Sequence, residues 1–281
     1  MVDVAIIGGG PAGLSAAINV RARNRSALIL SGPLRETPLS RAPQVDNYPG
    51  LPGVSGAKLL QILQDHAEQS GAQMRQGRVL AAAAVDSGFY ISVDSDVVQA
   101  KGLVLAIGAQ RGGKLPGEQE LLGRGVSWCA TCDGMLYRGR SVAVVGLSEG
   151  APAEANYLLS LGCQVTYVAR QAPQGLLPEI PVALGRQIEI QGEGAVSAIM
   201  VDGRAFPCQG VFVLRPGLAA ADLLPQLEVR NGYVAVEPSM ATSLPGVFAC
   251  GDCTGPPLQV AKAVGQGLVA GQSAAAYAAA H

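Results

Sequence analysis

A glycine turn between two short apolar strands opens this chain of 281 residues. The stretch VDVAII has the pattern of a strand, GGGPAG follows it, an alanine-rich helical stretch comes next, and ALIL has the pattern of a second strand. Gly8, Gly10 and Gly13 stand in G-x-G-x-x-G register, which suits a tight turn, close approach of a pyrophosphate and close packing of helix on strand. The order predicts a βαβ unit that binds a dinucleotide, and hence an α/β fold.

One part of this fingerprint is missing. An acidic residue normally follows the second strand and binds the adenosine ribose, but Ser31 follows ALIL. A serine hydroxyl can still bond a ribose hydroxyl, and Glu36 in the following loop is the alternative. The candidate cofactor-binding residues of this unit are therefore Gly8, Gly10, Ala12, Gly13 and Ser31.

A second feature, VSWCATCDG, places Cys129 and Cys132 two residues apart, directly before Asp133. Two thiols at this spacing can close a disulfide and hold two electrons, and a neighbouring carboxyl group can trade the proton that thiolate chemistry needs. The alternatives are half of a zinc site or two small buried side chains. Zinc needs further ligands, and neither His66 nor His281 stands at ligand spacing from the pair. We interpret the pair as redox-active and predict no metal site.

Composition narrows the class of protein further. A net charge of −1 without a basic run argues against nucleic-acid binding, which needs clustered Lys and Arg. The length allows about two domains, and 49% hydrophobic residues allow a large core. We expect no secretory signal and no membrane span, and hence a cytoplasmic location. Thiols stay mostly reduced there, so a C-x-x-C pair is expected to cycle between redox states.

Between these motifs the sequence predicts ordinary elements. GAKLLQILQDHAEQSGA has apolar residues at helical spacing and predicts a core helix. RVLAAAAV, FYISVDS and VVQA predict short strands with a turn at 86–88, and KGLVLAIGAQ predicts a separate buried parallel strand. Small strands are also predicted between 180 and 217, with turns at Gly192, at Asp202 with Gly203 and at Pro207.

Several motifs occur in the order known from one enzyme family. They are GGGPAG, VDNYPG, LVLAIGA, LPGEQELLGRGVSWCATCDG, and GVFACGDC with LQVAKAVGQG. In this series the chain resembles the low-molecular-weight thioredoxin reductases. The resemblance implies two Rossmann-like domains: an FAD domain split in the sequence, residues 1–112 and 239–281, and a smaller inserted domain, residues 113–238, that carries the C-x-x-C pair.

The resemblance also implies residue roles. Asn47 would lie near the flavin, Asp252 would bond the FAD ribitol, and Gln259 would open the last helix, whose N-terminus would face the pyrimidine edge of the flavin. Cys132 would exchange electrons with the flavin, Cys129 would react with the disulfide of a thioredoxin-like partner, and Asp133 would handle protons. A homodimer is expected, and so is a domain rotation, because one pair cannot face both a buried flavin and a protein partner.

The insert departs from the family at its nucleotide site. RSVAVVGLSEGAPAEANYLLSLGCQVTYVAR predicts a second βαβ unit, but its loop has Ser148 where the family has a glycine, and Arg170 stands without the family's basic cluster. NADPH binding is therefore not expected. The resemblance leaves two replacements, ferredoxin and a second FAD seated in the insert, and the electrons could run from a partner dithiol to the flavins.

Three functions from different classes remain at this point. The first is an FAD-linked thiol-disulfide oxidoreductase that does not use NAD(P)H, the second is an NADPH-dependent thioredoxin reductase, and the third is a non-catalytic flavin-binding sensor. The intact pair with Asp133 argues against the third. Cys163 and Cys208 are expected to fill core space. Cys250 and Cys253 form a second C-x-x-C beside Asp252, for which we favour two small buried side chains over a redox role.

Overall fold

The computed structural model describes residues 1–85, 88–109, 114–215 and 219–281. The chain forms two compact units. The first consists of Met1–Arg111 with Gly217–His281, and the second is Gly112–Pro216.

The strands of the described residues, in chain order, are β1 (Val2–Ile7), β2 (Ala27–Ser31), β3 (Gln73–Gln76), β4 (Val79–Val85), β5 (Gly88–Val93), β6 (Asp96–Leu105), β7 (Val126–Ser127), β8 (Ser141–Gly146), β9 (Gln164–Ala169), β10 (Val182–Leu184), β11 (Ile188–Gln191), β12 (Ala198–Val201), β13 (Arg204–Pro207), β14 (Gly210–Leu214), β15 (Val229–Arg230), β16 (Tyr233–Val234) and β17 (Val247–Ala249). The α-helices are α1 (Pro11–Arg21), α2 (Gly56–Gln69), α3 (Ala130–Asp133), α4 (Ala151–Ser160), α5 (Ala220–Leu223) and α6 (Val260–Ala280). Short 3-10 helices span Leu34–Glu36, Leu39–Arg41, Gly134–Tyr137 and Gly251–Thr254.

The first unit is built on one mixed sheet. Its strand order is β3-β2-β1-β6-β5-β4, and β17 also pairs with β6. Strands β1, β2, β3, β6 and β17 run parallel, while β4 and β5 form an antiparallel extension. The predicted βαβ opening and the predicted core helix α2 are both present. One prediction was wrong: VVQA and KGLVL form a single strand, β6, because this strand pairs with β5 along its first half and with β1 and β17 along its second. Part of the turn predicted at 86–88, and Gln110, lie outside the described residues.

Alternating side chains place a core on each face of this sheet. In β1, Val4 and Ile6 join a core with α1 and α6, while Ala5 and Ile7 join a second core on the other face. The packing of α6 on α1 is very close: a Cβ atom at Gly267 would overlap the Ala12 carbonyl. The small residues of α6 thus permit this close contact.

The chain returns to the first unit earlier than the sequence suggested. The insert was expected to run to residue 238, whereas the second compact unit ends at Pro216. Residues 219–238 belong with the first unit because their apolar side chains lie in its core. Leu223, Leu224 and Leu227 cluster there with Phe89 and other residues of the β4-β5-β6 face.

The second unit has a parallel sheet of its own. Its strand order is β10-β9-β8-β14-β7, and β11, β12 and β13 form a separate antiparallel sheet. Two buried clusters lie within the unit, one shared with the antiparallel sheet and one beneath α4. The mixed α/β fold, with parallel strands in the main sheet of each unit, confirms the predicted fold class. In the part of the chain that the structure describes, no helix combines the length and apolar character needed to cross a bilayer.

Candidate functional site

The glycine turn of the first unit has the geometry of a phosphate cradle. Gly8 has φ +114°, and a Cβ atom there would overlap the Ala106 carbonyl. Gly10 precedes α1 and has open space where a side chain would stand. Because glycine offers no capping side chain, the N-terminal end of α1 is available to a phosphate. These residues therefore fit the pyrophosphate of a dinucleotide.

Ser31 lies at the end of β2, next to this turn. Its hydroxyl accepts a hydrogen bond from the Gly9 N–H (3.1 Å) and donates to the Gly32 carbonyl (2.9 Å). It also lines a cavity of about 290 Å³, together with the loop 32–35 and residues of α2 and β3. The position suits the adenosine end of a dinucleotide, although the serine hydroxyl is already engaged in holding the loop.

Two candidate residues far apart in the sequence meet in the first unit. Asn47 Nδ2 donates a hydrogen bond to Gln259 Oε1, at 2.7 Å. Asp252 lies in the short helix Gly251–Thr254, where a Cβ atom at Gly251 would stand 2.8 Å from the Ala12 side chain. The structure thus brings the Asp252 turn against α1 and its glycine turn.

Lys262 is a residue that the sequence analysis missed. Its Nζ donates to the carbonyls of Gly251 (2.8 Å) and Gly255 (2.6 Å). Burial lowers the pKa of Lys262, and the nearby Asp252 charge opposes that shift. Lys262 therefore ties the Asp252 turn to the first turns of α6. In the sequence, the one sign of this role is that Lys262 follows Gln259 by three positions, in the first turn of the last helix.

In the second unit the structure joins Cys129 and Cys132 in a disulfide, with their Cα atoms 5.4 Å apart. Cys129 is 8% exposed, whereas Cys132 lies at the surface. The Cys129 sulfur accepts a hydrogen bond from the Cys132 N–H (3.2 Å) at the start of α3. Such a bond stabilises negative charge on sulfur, which favours a thiolate at Cys129 when the pair is reduced.

Asp133 is held by a buried serine. Ser127 Oγ donates to Asp133 Oδ2 (2.6 Å) and accepts from the Cys129 N–H (3.1 Å). Glu154 of α4 also reaches this region, because its Oε2 accepts from the Ala130 N–H (3.3 Å). Both residues are absent from the sequence-based candidates: Ser127 lies within VSWCATCDG, where the cysteines and Asp133 are the candidates, and Glu154 forms part of no motif.

The other four cysteines are free and buried. Burial raises the pKa of Cys253 to about 11 and raises that of Cys250 well above its ordinary value. The Cys253 thiol donates to the Cys250 carbonyl (3.2 Å). Burial likewise raises the pKa of Cys208 to about 11, and that of Cys163. Because the thiolate is the reactive form, this environment favours the filling role expected for all four.

The second βαβ unit has a different loop from the first. In the first unit the helix begins three residues after Gly8, whereas α4 begins five residues after the corresponding Gly146. A Cβ atom at Gly146 would overlap the Tyr167 hydroxyl, so this ring reaches from β9 to the edge of the loop. Burial raises the pKa of Tyr167 to about 12, which keeps the hydroxyl neutral.

The described residues contain no group of side chains that could hold a metal ion. Within 1–85, 88–109, 114–215 and 219–281, no three His, Cys, Asp or Glu side chains group as metal ligands would. The groups that the described residues offer for chemistry are a disulfide next to a carboxylate and a glycine turn that fits a dinucleotide.

Together, the two α/β units, the cradle and the disulfide define a flavin disulfide oxidoreductase. The chain belongs to the pyridine nucleotide-disulphide oxidoreductase family, which its residues 2–267 match. It is 33% identical to the thioredoxin reductase of Aquifex aeolicus over 273 residues, 89% of this chain and 84% of the relative.

Solved structures point to the same group of enzymes. The fold matches a ferredoxin-flavin thioredoxin reductase from Clostridium acetobutylicum with a TM-score of 0.95 and 34% identity, covering 99% of this chain and 98% of that one. A thioredoxin reductase from Gloeobacter violaceus matches with a TM-score of 0.85 and 33% identity, covering 99% and 94%. The protein is therefore a thioredoxin reductase-like enzyme, and its family implies FAD as cofactor.

Proposed function

We propose that this enzyme is an FAD-dependent thiol-disulfide oxidoreductase that exchanges electrons between its flavin, the Cys129–Cys132 pair and a thioredoxin-like partner, without NADPH. The observation that carries the proposal is the Cys129–Cys132 disulfide beside Asp133, in a unit whose nucleotide loop lacks the geometry of a dinucleotide site. Gly8, Gly10, Ala12, Gly13, Ser31, Asn47, Asp252 and Gln259 would hold the FAD.

The exchange conserves electrons and protons. FAD, when bound, supplies a two-electron carrier. Two electrons and two protons convert the disulfide to two thiols. One of the thiolates then attacks the partner disulfide to form a mixed disulfide, and the second thiolate displaces the partner, so that the pair is oxidised and the partner gains both thiols. In the reverse direction a partner dithiol reduces the pair by the same steps.

The surroundings of the pair support a role for each of its groups. Asp133 is placed to accept or return a proton at a thiol, because Ser127 fixes its carboxylate. The resemblance gave the partner reaction to Cys129, but Cys132 is the exposed sulfur in the conformation described here. In this conformation Cys132 is therefore the more accessible of the two residues to a partner thiolate.

An apolar surface adjoins the exposed sulfur. Met135 and Leu136, in the short helix after α3, are 57% and 69% exposed. Two large apolar side chains beside a reactive sulfur suit docking of a protein partner. Since relatives of this chain are named thioredoxin reductases, we propose that the surface receives a thioredoxin-like protein.

The loop before α4 in the second unit argues against NADPH binding. A pyrophosphate needs bare backbone N–H groups at a helix N-terminus, but α4 starts two residues late, by comparison with α1, and Ser148 replaces a glycine. The Tyr167 ring occupies the edge of the same loop. Arg170, which follows β9, would be the one cation of the family's 2′-phosphate cluster to remain in this sequence.

For the electron donor we favour ferredoxin over a second FAD. The similar Clostridium acetobutylicum enzyme is described as a ferredoxin-flavin thioredoxin reductase. Two reduced ferredoxins would each supply one electron, and two protons from solvent would complete the reduction of the disulfide. A second FAD in the insert would instead carry electrons from a partner dithiol.

One anaerobic experiment tests these points together. The purified enzyme is mixed in turn with NADPH, with reduced ferredoxin and with a dithiol, while the flavin absorbance is followed; released FAD is then quantified against protein after denaturation. We expect slow or no bleaching by NADPH, rapid bleaching by ferredoxin and one FAD per chain. Rapid bleaching by NADPH would return the enzyme to the ordinary thioredoxin reductases, and two FAD per chain would favour the second-flavin alternative.

A further inference from the structure

A buried carboxylate is hydrogen-bonded to the residue that directly precedes the redox pair. Glu118 is fully buried in the second unit. Its Oε2 accepts from the Leu115 N–H (2.8 Å) and from Arg215 Nη2 (2.7 Å), and its Oε1 also contacts Arg215. Burial alone would raise the pKa of Glu118, but these hydrogen bonds and the Arg215 charge hold it below its ordinary value. The carboxylate therefore stays ionised.

A further partner of Glu118 is the residue directly before Cys129. Trp128 Nε1 donates to Glu118 Oε1, at 2.9 Å. The indole is half-buried against the core beneath the antiparallel sheet, and the Lys114 ammonium lies 5.4 Å from the ring centroid. A hydrogen bond to an ionised acceptor is stronger than one between neutral groups, so the indole has one favoured position.

Both residues that lead into Cys129 are thus anchored by side-chain bonds. Ser127 bonds the Cys129 N–H and Asp133, and Trp128 bonds Glu118. Cys129 in turn keeps its sulfur where the Cys132 N–H can reach it. Movement of Trp128 would shift Cys129 relative to that N–H, which is the contact that stabilises a Cys129 thiolate.

We propose that Trp128 and Glu118 are positioning residues for the redox pair: Glu118, balanced by Arg215, fixes the Trp128 indole and thereby the place of the Cys129 sulfur at the start of α3. The inference rests on the proposed function, in which this pair exchanges electrons with a dithiol or disulfide. It adds a structural link between the pair and Arg215, 86 positions after Cys129 along the chain and next to the end of the second unit.

The test compares two double variants that differ in one group. E118L/R215M replaces the buried ion pair by apolar side chains and removes the acceptor for the indole, while E118Q/R215M keeps an amide oxygen that can accept from it. Replacement of a whole buried pair by apolar residues is commonly tolerated. Thermal unfolding of both holoenzymes verifies that they fold. The readouts are the rate of reduction of the pair by dithiothreitol and its reduction potential in a thiol-disulfide redox buffer.

In E118L/R215M we expect dithiothreitol to reduce the Cys129–Cys132 disulfide about tenfold more slowly than in the wild type, and the reduction potential of the pair to be shifted. In E118Q/R215M the rate of reduction should stay within about twofold of the wild-type rate. The emission of Trp128, the one tryptophan of the chain, would change on reduction in E118Q/R215M as in the wild type. Equal rates and potentials in both variants, whether normal or slow, overturn the inference. Failure of the wild type to react with any dithiol or disulfide would instead overturn the proposed function.

Discussion

At the scale of single residues, the two cysteines of the redox pair differ in exposure, and each can be tested by substitution. The change Cys132→Ser removes the exposed sulfur and leaves Cys129 without a disulfide partner. We therefore expect exchange between flavin and dithiols to fall to background, measured by stopped-flow absorbance of the flavin. Cys253→Ser is the matched control, since its thiol is buried and held protonated by a raised pKa. Normal exchange in the Cys132 variant would transfer the redox role to Cys250 and Cys253.

The serine that holds Asp133 gives a second residue-scale prediction. Ser127→Ala removes the hydrogen bond to the Asp133 carboxylate and the acceptor for the Cys129 N–H. Bonds to charged groups contribute about 1.5–3 kcal/mol, so we expect thiol-disulfide exchange to slow by about tenfold or more. The measurement is the rate of reduction by dithiothreitol across a pH series. Ser160→Ala, at the exposed end of α4, should leave the rate unchanged, and a wild-type pH profile in Ser127→Ala would contradict the role.

Glu118 makes the second unit sensitive to acid. Hydrogen bonds from Arg215, Leu115 and Trp128 outweigh the effect of burial and lower its pKa from 4.5. A carboxyl group with a lowered folded-state pKa stabilises the fold above its unfolded value, and this contribution is lost as the pH falls through the folded value. Trp128 emission should therefore change with a midpoint below pH 4.5, followed by fluorescence titration. The same transition in E118Q/R215M would assign the change to another group.

The packing of α6 on α1 gives a prediction at the scale of elements. A Cβ atom at Gly271 would overlap the Ala16 carbonyl, whereas Gly265 in the same helix has open space. Gly271→Ala should lower the free energy of unfolding by about 1–3 kcal/mol through overpacking. Gly265→Ala should raise it by about 0.4–1 kcal/mol, because alanine restricts the unfolded chain. Chemical denaturation of both variants measures the two free energies of unfolding. Equal values for the two variants would show that α1 and α6 move apart to accept the added methyl group without loss of stability.

The elements themselves were largely readable from the sequence, because periodicity and glycine spacing act over short distances. This holds for the βαβ opening, for α2 and for the pair at Cys129 and Cys132. Glu118 and Arg215 were not readable, since 97 positions separate them and each is an ordinary charged residue in its own stretch. The same holds for Tyr167, whose place beside Gly146 depends on how two strands pair.

The division into two units gives a prediction for the whole molecule. The second unit has its own sheets and two buried clusters, one on each side of its parallel sheet. A fragment spanning 112–216 should therefore unfold cooperatively in a denaturant titration, and its disulfide should react with dithiothreitol. A fragment spanning 113–238 is the comparison. Its last 22 residues include Leu223 and Leu227, which lose their core in the first unit, so it should be the less soluble of the two.

The boundary of the insert was the feature of the whole molecule that sequence could not locate. Motif spacing indicates where the segments that resemble the family begin, but residues 219–238 carry no motif. Their place is decided by Leu223, Leu224 and Leu227, which fill a face of the first sheet that strands β4, β5 and β6 leave open. Only the completed sheet shows that this face needs covering.

The return of the chain to the first unit after the second unit is complete also sets an order of events during synthesis. Strand β17 pairs with β6, and α6 packs on α1, across a gap of more than 140 positions. While the ribosome is still adding the last segment, the second unit has its full sequence, but the first unit lacks a strand and its longest helix. The disulfide-bearing unit can therefore mature first, and the cradle for the cofactor is finished only after β17 and α6 have been made.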